Sequence, residues 1–333
     1  MSKGALTKDD IQAQSERAYK QWAPQWREHA KIHSKYPMKN LDVFENSGIG
    51  KAALCVANGY SLEEEIETIK KYQHNVDIIC CDKSLRHLIA NGIRPKFCLV
   101  ADANVSYDKY LADIKDELQD TILIANVCAN PTWTEKGNWK DRYFFCVMDV
   151  LESQKEWQAI SGCPNVIPAG TNVSNSLVIF LTQCDNSGRK NFFAYDKILL
   201  IGFDYSWRAN GSYYAFDKDG NGKSNYMRHT YLMDMARNQV CSSNNLIFSA
   251  RWLDQYVNAF KLPVVQCTRS TVLGSKYMGV LAEQMQYSFR QEDSAKVREM
   301  VSMRKMLVAK KKEIEETIHK LAKEHYYSFV ASV

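Results

Sequence analysis

The apolar positions of this 333-residue chain fall into short unbroken runs, and five of those runs stop on an Asn or Asp. They read Leu54-Cys-Val-Ala-Asn58, Ile78-Ile-Cys-Cys-Asp82, Cys98-Leu-Val-Ala-Asp102, Ile122-Leu-Ile-Ala-Asn126 and Leu199-Leu-Ile-Gly-Phe-Asp204. Each is too short for a helix and apolar on both faces, which predicts a strand covered on both sides. From about residue 50 such strands alternate with amphipathic helices. Strands are expected at 52–57, 76–81, 97–101 and 121–125, with helices at 61–72, 84–91 and 107–118 between them. Ser61 followed by Glu64 predicts a capping box on the first helix. Asn91-Gly92 with Pro95 beyond ends the second. The alternation predicts an α/β, Rossmann-like doubly wound fold with a mostly parallel sheet. Ligands of such sheets bind outside the carboxyl ends of the strands. Five polar tips on one rim therefore mark a binding site.

The remaining pattern is less regular. Residues 130–139 read as a loop, followed by a strand at 143–147 and helices at 152–160 and 173–184. A strand at 197–203 carries the last polar tip. Residues 205–228 are rich in aromatics, Gly and Asn, which reads as a long functional loop. Helices near 230–242 and 249–260 and a strand at 263–267 close the domain. Residues 8–35 form an N-terminal helix that the Ala23-Pro24 step is expected to kink or split. Residues 283–327 form a charge-laced helical tail with Lys310, Lys311 and Lys312 set against Glu313, Glu315 and Glu316. The expected organisation is an N-terminal helical extension (1–48), a nucleotide-binding catalytic domain (49–280) and a basic helical extension (281–333).

Composition narrows the class. A hydrophobic fraction of 45% and a charged fraction of 24% suit a globular protein with a large core. No apolar stretch is long enough to span a membrane, and the polar N-terminus does not read as a signal peptide. The 10 Cys form no CxxC pair and have no zinc-type His spacing. Several lie inside the predicted strands, where a thiol serves as a small apolar side chain. They read as reduced, in a cytoplasmic protein, or in the host cytoplasm if the chain is viral. A net charge of +5 permits an anionic partner without demanding one.

Two strand-to-helix turns carry the chemistry expected of phosphate binding. In Asn58-Gly59-Tyr60-Ser61-Leu62 the glycine permits close backbone approach, and the helix start offers free N–H groups. Gly170-Thr171-Asn172-Val-Ser174-Asn175 opens a second helix in the same way. Either segment alone also reads as an ordinary turn or N-cap. Asp217-Lys-Asp219-Gly-Asn221-Gly222 resembles the start of a calcium loop, but Arg228 stands where the closing Glu belongs, so it reads as a polar turn. His229 follows the aromatic loop and suits general-base chemistry near neutral pH, although a His taken singly is more often a surface or capping residue. Tyr213 and Tyr214 are candidate donors to phosphate oxygens. No GxSxG, HExxH or kinase signature set occurs, and no metal site is expected.

These stretches occur in a familiar order: Asn58-Gly-Tyr-Ser-Leu62; Cys81-Asp82-Lys-Ser with Asn91-Gly-Ile-Arg-Pro95; Val100-Ala-Asp102; Gly170-Thr-Asn-Val-Ser-Asn175; and Ile201-Gly-Phe-Asp204. Over residues 52–270 the chain resembles the bacterial motility accessory factors, which modify flagellin with nonulosonic sugars. That family also includes archaeal 6-hydroxymethylpterin diphosphokinases. Tyr60 stands where the family usually has Pro. A more local similarity, Asn210-Gly-Ser-Tyr-Tyr214-Ala-Phe-Asp217 and then Asn225-Tyr-Met-Arg-His229, is to bacterial sialyltransferases that use CMP-sialic acid. That resemblance implies His229 as the base that deprotonates the acceptor and Tyr214 as the group that stabilises the leaving phosphate. Ser206 occupies the place of the second phosphate Tyr, with Tyr205 beside it. Asn58 matches the first-turn Asn, and Asp82 and Asp102 stand where that family has Asn.

The resulting expectation is a metal-independent, inverting glycosyltransferase that uses a nucleotide sugar as co-substrate. Asn58, Gly59, Ser61, Asp82, Asp102, Gly170, Thr171, Asn172, Asp204, Tyr205 and Tyr213 would line the donor site. The acceptor is another glycan or a base of nucleic acid, as in phage-type DNA modification, and the chain is compatible with a homo-oligomer. The alternatives are a diphosphokinase using Mg-ATP on a pterin-like substrate, with Asp82, Asp102 and Asp204 holding metal and substrate, and a non-catalytic nucleotide-binding module.

Overall fold

The computed structural model describes residues 8–114, 117–149, 151–184, 191–208, 214–216, 229–273 and 279–286, with helical positions between 303 and 320. The elements run α1 (Lys8–His33), β1 (Ala52–Val56), α2 (Leu62–Tyr72), β2 (Val76–Cys81), α3 (Asp82–Ala90), β3 (Phe97–Val100), α4 (Tyr107–Leu111) and β4 (Ile122–Asn126). They continue α5 (Thr132–Glu135), β5 (Asp141–Met148), α6 (Gln154–Ser161), β6 (Val166–Pro168), α7 (Val173–Thr182) and β7 (Lys197–Ile201). The last are β8 (His229–Met233), β9 (Gln239–Ser243), α8 (Asn244–Phe260), β10 (Val264–Gln266) and α9 (Leu281–Gln286).

Eight strands form one sheet in the order β10-β7-β1-β2-β3-β4-β5-β6, and every pairing in it is parallel. The fold is therefore the doubly wound, Rossmann-like α/β architecture that the alternation predicts. Alternate side chains divide between two layers. Leu54, Val56, Ile78, Cys80, Cys98 and Val100 face the side covered by α1, α2 and α3. Ala53, Cys55, Ala57, Ile79, Cys81 and Leu99 face the side covered by α7 and α8. Strand order advances from β1 to β6 and then resumes at β7 on the far side of β1. The topological switch point lies between β1 and β7, which is where an open α/β sheet offers its crevice.

Several expectations are corrected. The segment expected as a helix at 230–242 is instead the antiparallel hairpin β8–β9. Its residues alternate: Val240 and Ser242 are buried, whereas Tyr231 and Met233 are exposed. Between the strands Arg237 adopts φ +65°, and the Asp234 carboxylate accepts the Asn238 amide at 2.7 Å. This turn and the β-branched and aromatic content of β8 outweigh helix propensity. The helix expected at 107–118 is short, α4 ending at Leu111. The loop expected at 130–139 contains α5, and β6 is a three-residue strand that gave no pattern of its own. The capping box at Ser61 does not form, because its hydroxyl is committed to another partner described below.

α1 runs unbroken through Pro24. Both Pro24 and Lys20, whose carbonyl loses its helical partner there, are exposed, so that carbonyl is not buried without a partner. Contacts on the buried side hold the helix. Arg27 Nε donates to Glu156 on α6 at 2.5 Å. His29 Nδ1 meets the Cys128 carbonyl at 3.1 Å and His33 Nδ1 the Val127 carbonyl at 2.8 Å. His33 Nε2 also reaches Thr134 Oγ1 at 3.0 Å. In the tail the described residues are exposed helix, with Lys311 3.7 Å from Glu315. The cysteines are all free, and all but the half-buried Cys241 are buried. Among the described residues no helix is long and apolar enough to cross a membrane.

His33 gives a pH test of the α1 contact. Burial lowers its pKa from 6.5 to about 4, outweighing the Val127 hydrogen bond. A base whose folded pKa is depressed stabilises the fold fully above its unfolded pKa, and that contribution is lost as pH falls from 6.5 towards 4. Between pH 7 and pH 5 the cost is about 2 kcal/mol. Denaturant melts should show His33→Gln less stable at pH 7 but with a shallower loss on acidification than wild type. Parallel pH profiles would remove this role for His33.

Candidate functional site

A cavity of about 180 Å³ opens at the switch point. Its floor is built from the carboxyl ends of β1, β2, β3 and β7, and its far wall from the first turn of α7. Asn58, Gly59, Asp82, Asp102, Asn172, Asp204, Tyr205 and Tyr214 all line it. Residues separated by more than a hundred positions in the chain thus meet around one space.

Asp204 ties the rim together. Its carboxylate Oδ2 accepts both the Ser61 amide and the Ser61 hydroxyl, each at 3.0 Å. Its Oδ1 accepts the Ser270 hydroxyl at 2.9 Å. Burial raises the Asp204 pKa to about 6 against the pull of these donors. The N-terminus of α2, expected to receive a phosphate, therefore receives this intramolecular carboxylate instead. Gly59 has a matching explanation: a Cβ there would lie 2.1 Å from Asp204 Oδ2 and 2.3 Å from the Gly202 carbonyl. Gly202 adopts φ +76°, and a Cβ there would lie 2.3 Å from the Ala57 carbonyl oxygen. The glycines allow β1, β7 and Asp204 to close on one another. The Tyr205 hydroxyl is also engaged, donating to Asn175 Oδ1 at 2.6 Å.

The opposite side of the cavity is less satisfied. Asp82 begins α3, is almost fully buried, and accepts the Lys83 amide through Oδ1 at 2.7 Å. Its Oδ2 and the side-chain oxygen of Asn58 are buried without a protein hydrogen bond. Buried polar atoms without protein partners are uncommon, and these two are acceptors open to a hydrogen-bond donor in the cavity. Burial raises the Asp82 pKa to about 6, Lys83 opposes the shift, and nearby Asp102 adds to it. Lys83 Nζ donates to the Tyr214 hydroxyl at 3.0 Å and sits 4.6 Å from that ring's centroid. Burial disfavours the Lys83 ammonium, but its interactions with Tyr214 and Asp82 outweigh this and hold its pKa above the ordinary lysine range. Tyr214 is placed by a bridge to Gly59, by the Ala215 amide on the Asn58 carbonyl at 3.0 Å, and by the Phe216 amide on Glu63.

α7 supplies the only other polar wall described. Asn172 caps it, accepting the Asn175 amide at 2.8 Å, and Val173 and Ser174 of its first turn line the cavity. Its first amides have no intrahelical partner and face the electropositive end of the helix dipole. Gly170 and Thr171 do not line the cavity. A Cβ on Gly170 would lie 2.6 Å from Ser176 Oγ, and Thr171 Oγ1 accepts Asn175 Nδ2 at 2.7 Å, so both shape the turn. His229 opens a strand rather than a helix and pairs with Ser243. Tyr213 and the polar turn at 217–222 lie outside the described residues.

Sequence reasoning passed over Lys83, Ser174 and Leu246 as lining residues. Lys83 did leave a signal. A cation in the first turn of a helix opposes the dipole by about 0.3–1 kcal/mol, so a lysine directly after a strand-end carboxylate is costly unless it has another use.

A model of the family described as "6-hydroxymethylpterin diphosphokinase MptE-like" matches residues 25–210. The match begins inside α1 and stops before the β8–β9 hairpin. Among solved structures, the MAf glycosyltransferase from Magnetospirillum magneticum AMB-1 superposes with a TM-score of 0.52 at 16% identity. That alignment covers 83% of this chain and 41% of the other, so the chain spans about two fifths of that protein's length. At this identity the likeness is one of fold. No curated protein matches.

The glycine contacts are testable by stability. Gly59→Ala should cost about 3 kcal/mol or more in urea melts, because backbone and a buried carboxylate must move. Gly92, at φ +74° in open space, should cost only about 1 kcal/mol when changed to Ala. Equal effects would mean that Asp204 yields freely.

Proposed function

This chain belongs to the 6-hydroxymethylpterin diphosphokinase MptE-like family, and from that premise we propose that it is a transferase acting on a nucleotide-activated donor. The reading that the cavity supports best is transfer of a sugar from a nucleotide sugar to an acceptor hydroxyl. One observation carries it: Lys83 Nζ and the Tyr214 phenol meet at 3.0 Å on the rim facing the first turn of α7. A cation, a phenol and helix N-terminal amides together suit the charge that develops on a departing phosphate. Asn58 and Asp82, with their unpaired buried oxygens, suit the donor's N–H and O–H groups.

In this mechanism the acceptor oxygen attacks the anomeric carbon from the face opposite the nucleotide. The bond from that carbon to the phosphate oxygen breaks as the new C–O bond forms, which inverts the configuration. The acceptor's proton passes to His229, and the electron pair leaves on the phosphate beside Lys83 and Tyr214. General-base assistance of this kind is worth about 10²–10⁴ in rate.

A second reading, the diphosphokinase, also has support in the geometry. Mg²⁺ bound to nucleotide phosphates needs only one or two protein carboxylates. The unpaired Asp82 Oδ2, with Asp102 on the same cavity, fits that requirement. Asp204 does not, because both of its carboxylate oxygens accept bonds from Ser61 and Ser270. Bound there, Mg²⁺ would neutralise charge on transferring phosphates.

His229→Ala should reduce sugar transfer by about a hundredfold or more while nucleotide affinity stays within about twofold, measured by thermal stabilisation and single-turnover assay. Turnover that survives His229→Ala and requires Mg-ATP would establish the diphosphokinase instead. Nucleotide affinity should also rise as pH falls from 7 to 5.5, because protonation of Asp82 near pH 6 removes a negative charge beside the phosphates. Asp82→Asn should flatten that profile, and an unchanged slope would take Asp82 out of the donor site.

A further inference from the structure

A second cavity of about 320 Å³ adjoins the first and shares Asp102 with it. It lies beyond the carboxyl ends of β3, β4 and β5 and is closed by α1 and α6. Its wall includes three indoles. Trp22 and Trp26 stand four residues apart on α1 and so share a helix face. Trp157, from α6, meets Trp26 edge-on with ring centroids 6.0 Å apart and is fixed by its Nε1–H bond to Ser153 Oγ at 2.9 Å.

The polar groups of this cavity are few: Asp102, Asn104, Asn126, Asp149 and Ser153. Asp149 is spent on the protein, accepting the Leu151 and Ser153 amides at 3.0 Å and the Ser153 hydroxyl at 2.5 Å. It contributes charge rather than a free acceptor. Asp102 Oδ1 accepts the Asn104 amide at 2.8 Å, and Asn126 Oδ1 accepts the Cys128 amide at 2.9 Å. Among the described residues Asp102 Oδ2, Asn126 Nδ2 and Asn104 Nδ2 have no protein partner, the Asn104 Oδ1 accepting Gln25 Nε2 at 3.5 Å, which leaves one acceptor and two amide donors beside the indoles. Among the described residues no Lys or Arg lines the space. The two cavities thus differ in their cations: the first sets Lys83 and the start of α7 among Asp82, Asp102 and Asp204, whereas among the described residues the second has Asp102 and Asp149 with no cation beside them.

We infer that this second cavity binds an uncharged, hydroxylated ring, that is, a neutral sugar. The apolar ring faces meet the indoles, and a pair of hydroxyls bridges Asp102 and Asn126. Anionic ligands are disfavoured by the two carboxylates in a partly desolvated wall. A phosphate-rich duplex is a poor occupant for the same reason. Asp102 places the bound ring next to the donor cavity. Its role as acceptor rests on the transferase reading, whereas its binding does not.

The test uses the full chain and tryptophan emission, titrated with methyl β-glucoside, N-acetylglucosamine, glucuronate and guanosine. A neutral sugar should bind saturably, and glucuronate should bind about tenfold more weakly. Asp102→Asn should narrow that gap. Trp22→Ala should weaken sugar binding by roughly tenfold, about 1.4 kcal/mol, yet leave stabilisation by cytidine monophosphate unchanged. Trp22 is half-exposed, and Asn126→Ala provides a second variant should the first misfold. Absence of saturable sugar binding, preference for guanosine, or indifference to both variants overturns the inference. Sugar binding without turnover of any nucleotide sugar keeps the cavity and removes the transferase reading. Nucleotide-sugar turnover without sugar binding here does the reverse.

Discussion

The buried carboxylate of Asp204 is the constraint on which the rim of this molecule depends. It takes the amide and hydroxyl of Ser61 from the β1–α2 turn and the hydroxyl of Ser270 beyond β10. Three chain segments that are distant in sequence therefore converge on two oxygen atoms. Charge-assisted bonds of this kind are among the stronger ones in proteins, and here they sit where the strand order reverses. Gly59, Gly202, Phe203 and Tyr205, which line the first cavity, sit beside that junction. Gly59 and Gly202 have no side chains because the junction leaves no room for any.

This arrangement separates two kinds of strand-end residue that look alike in the sequence. Asp204 and Tyr205 have their polar atoms engaged by Ser61, Ser270 and Asn175. Asp82 and Asn58 keep an oxygen each without a protein partner. The cavity thus has a closed, structural side and an open, receptive side. Lys83 and Tyr214 bracket the receptive side. The burial that raises the pKa of Asp82 also strengthens every electrostatic contact made there.

The sheet was legible because its strands are covered on both faces, so β1, β2, β3, β4 and β7 are written as unbroken apolar runs. The helices between them followed from period and punctuation. Legibility failed where tertiary contact decides. β8 and β9 face the domain on one side only, and a short alternating hairpin resembles an amphipathic helix over so few residues. The Ser61-Glu64 spacing is a genuine capping pattern, but a carboxylate from 143 residues away displaces it. Lys83 sat in plain view beside Asp82, yet its pairing with Tyr214 spans 131 residues, and no local rule contains that. The strand-tip rule located Asn126 on the rim, but only the docking of α1 gave it a cavity to face.

That docking has a consequence of its own. The second cavity is walled by α1, whose hold includes His33, an imidazole kept neutral by burial. The first cavity is walled by the sheet itself and by Asp204, whose raised pKa means that acid does not have to break it open. Falling pH therefore acts on the two walls in opposite senses: proton uptake by His33 works against the docked helix, while proton uptake by Asp204, whose folded pKa is raised, favours the folded junction even as it removes the charge from its bonds. Acid thus weighs on the wall of the indole-lined chamber and not on the carboxyl end of the sheet at the switch point.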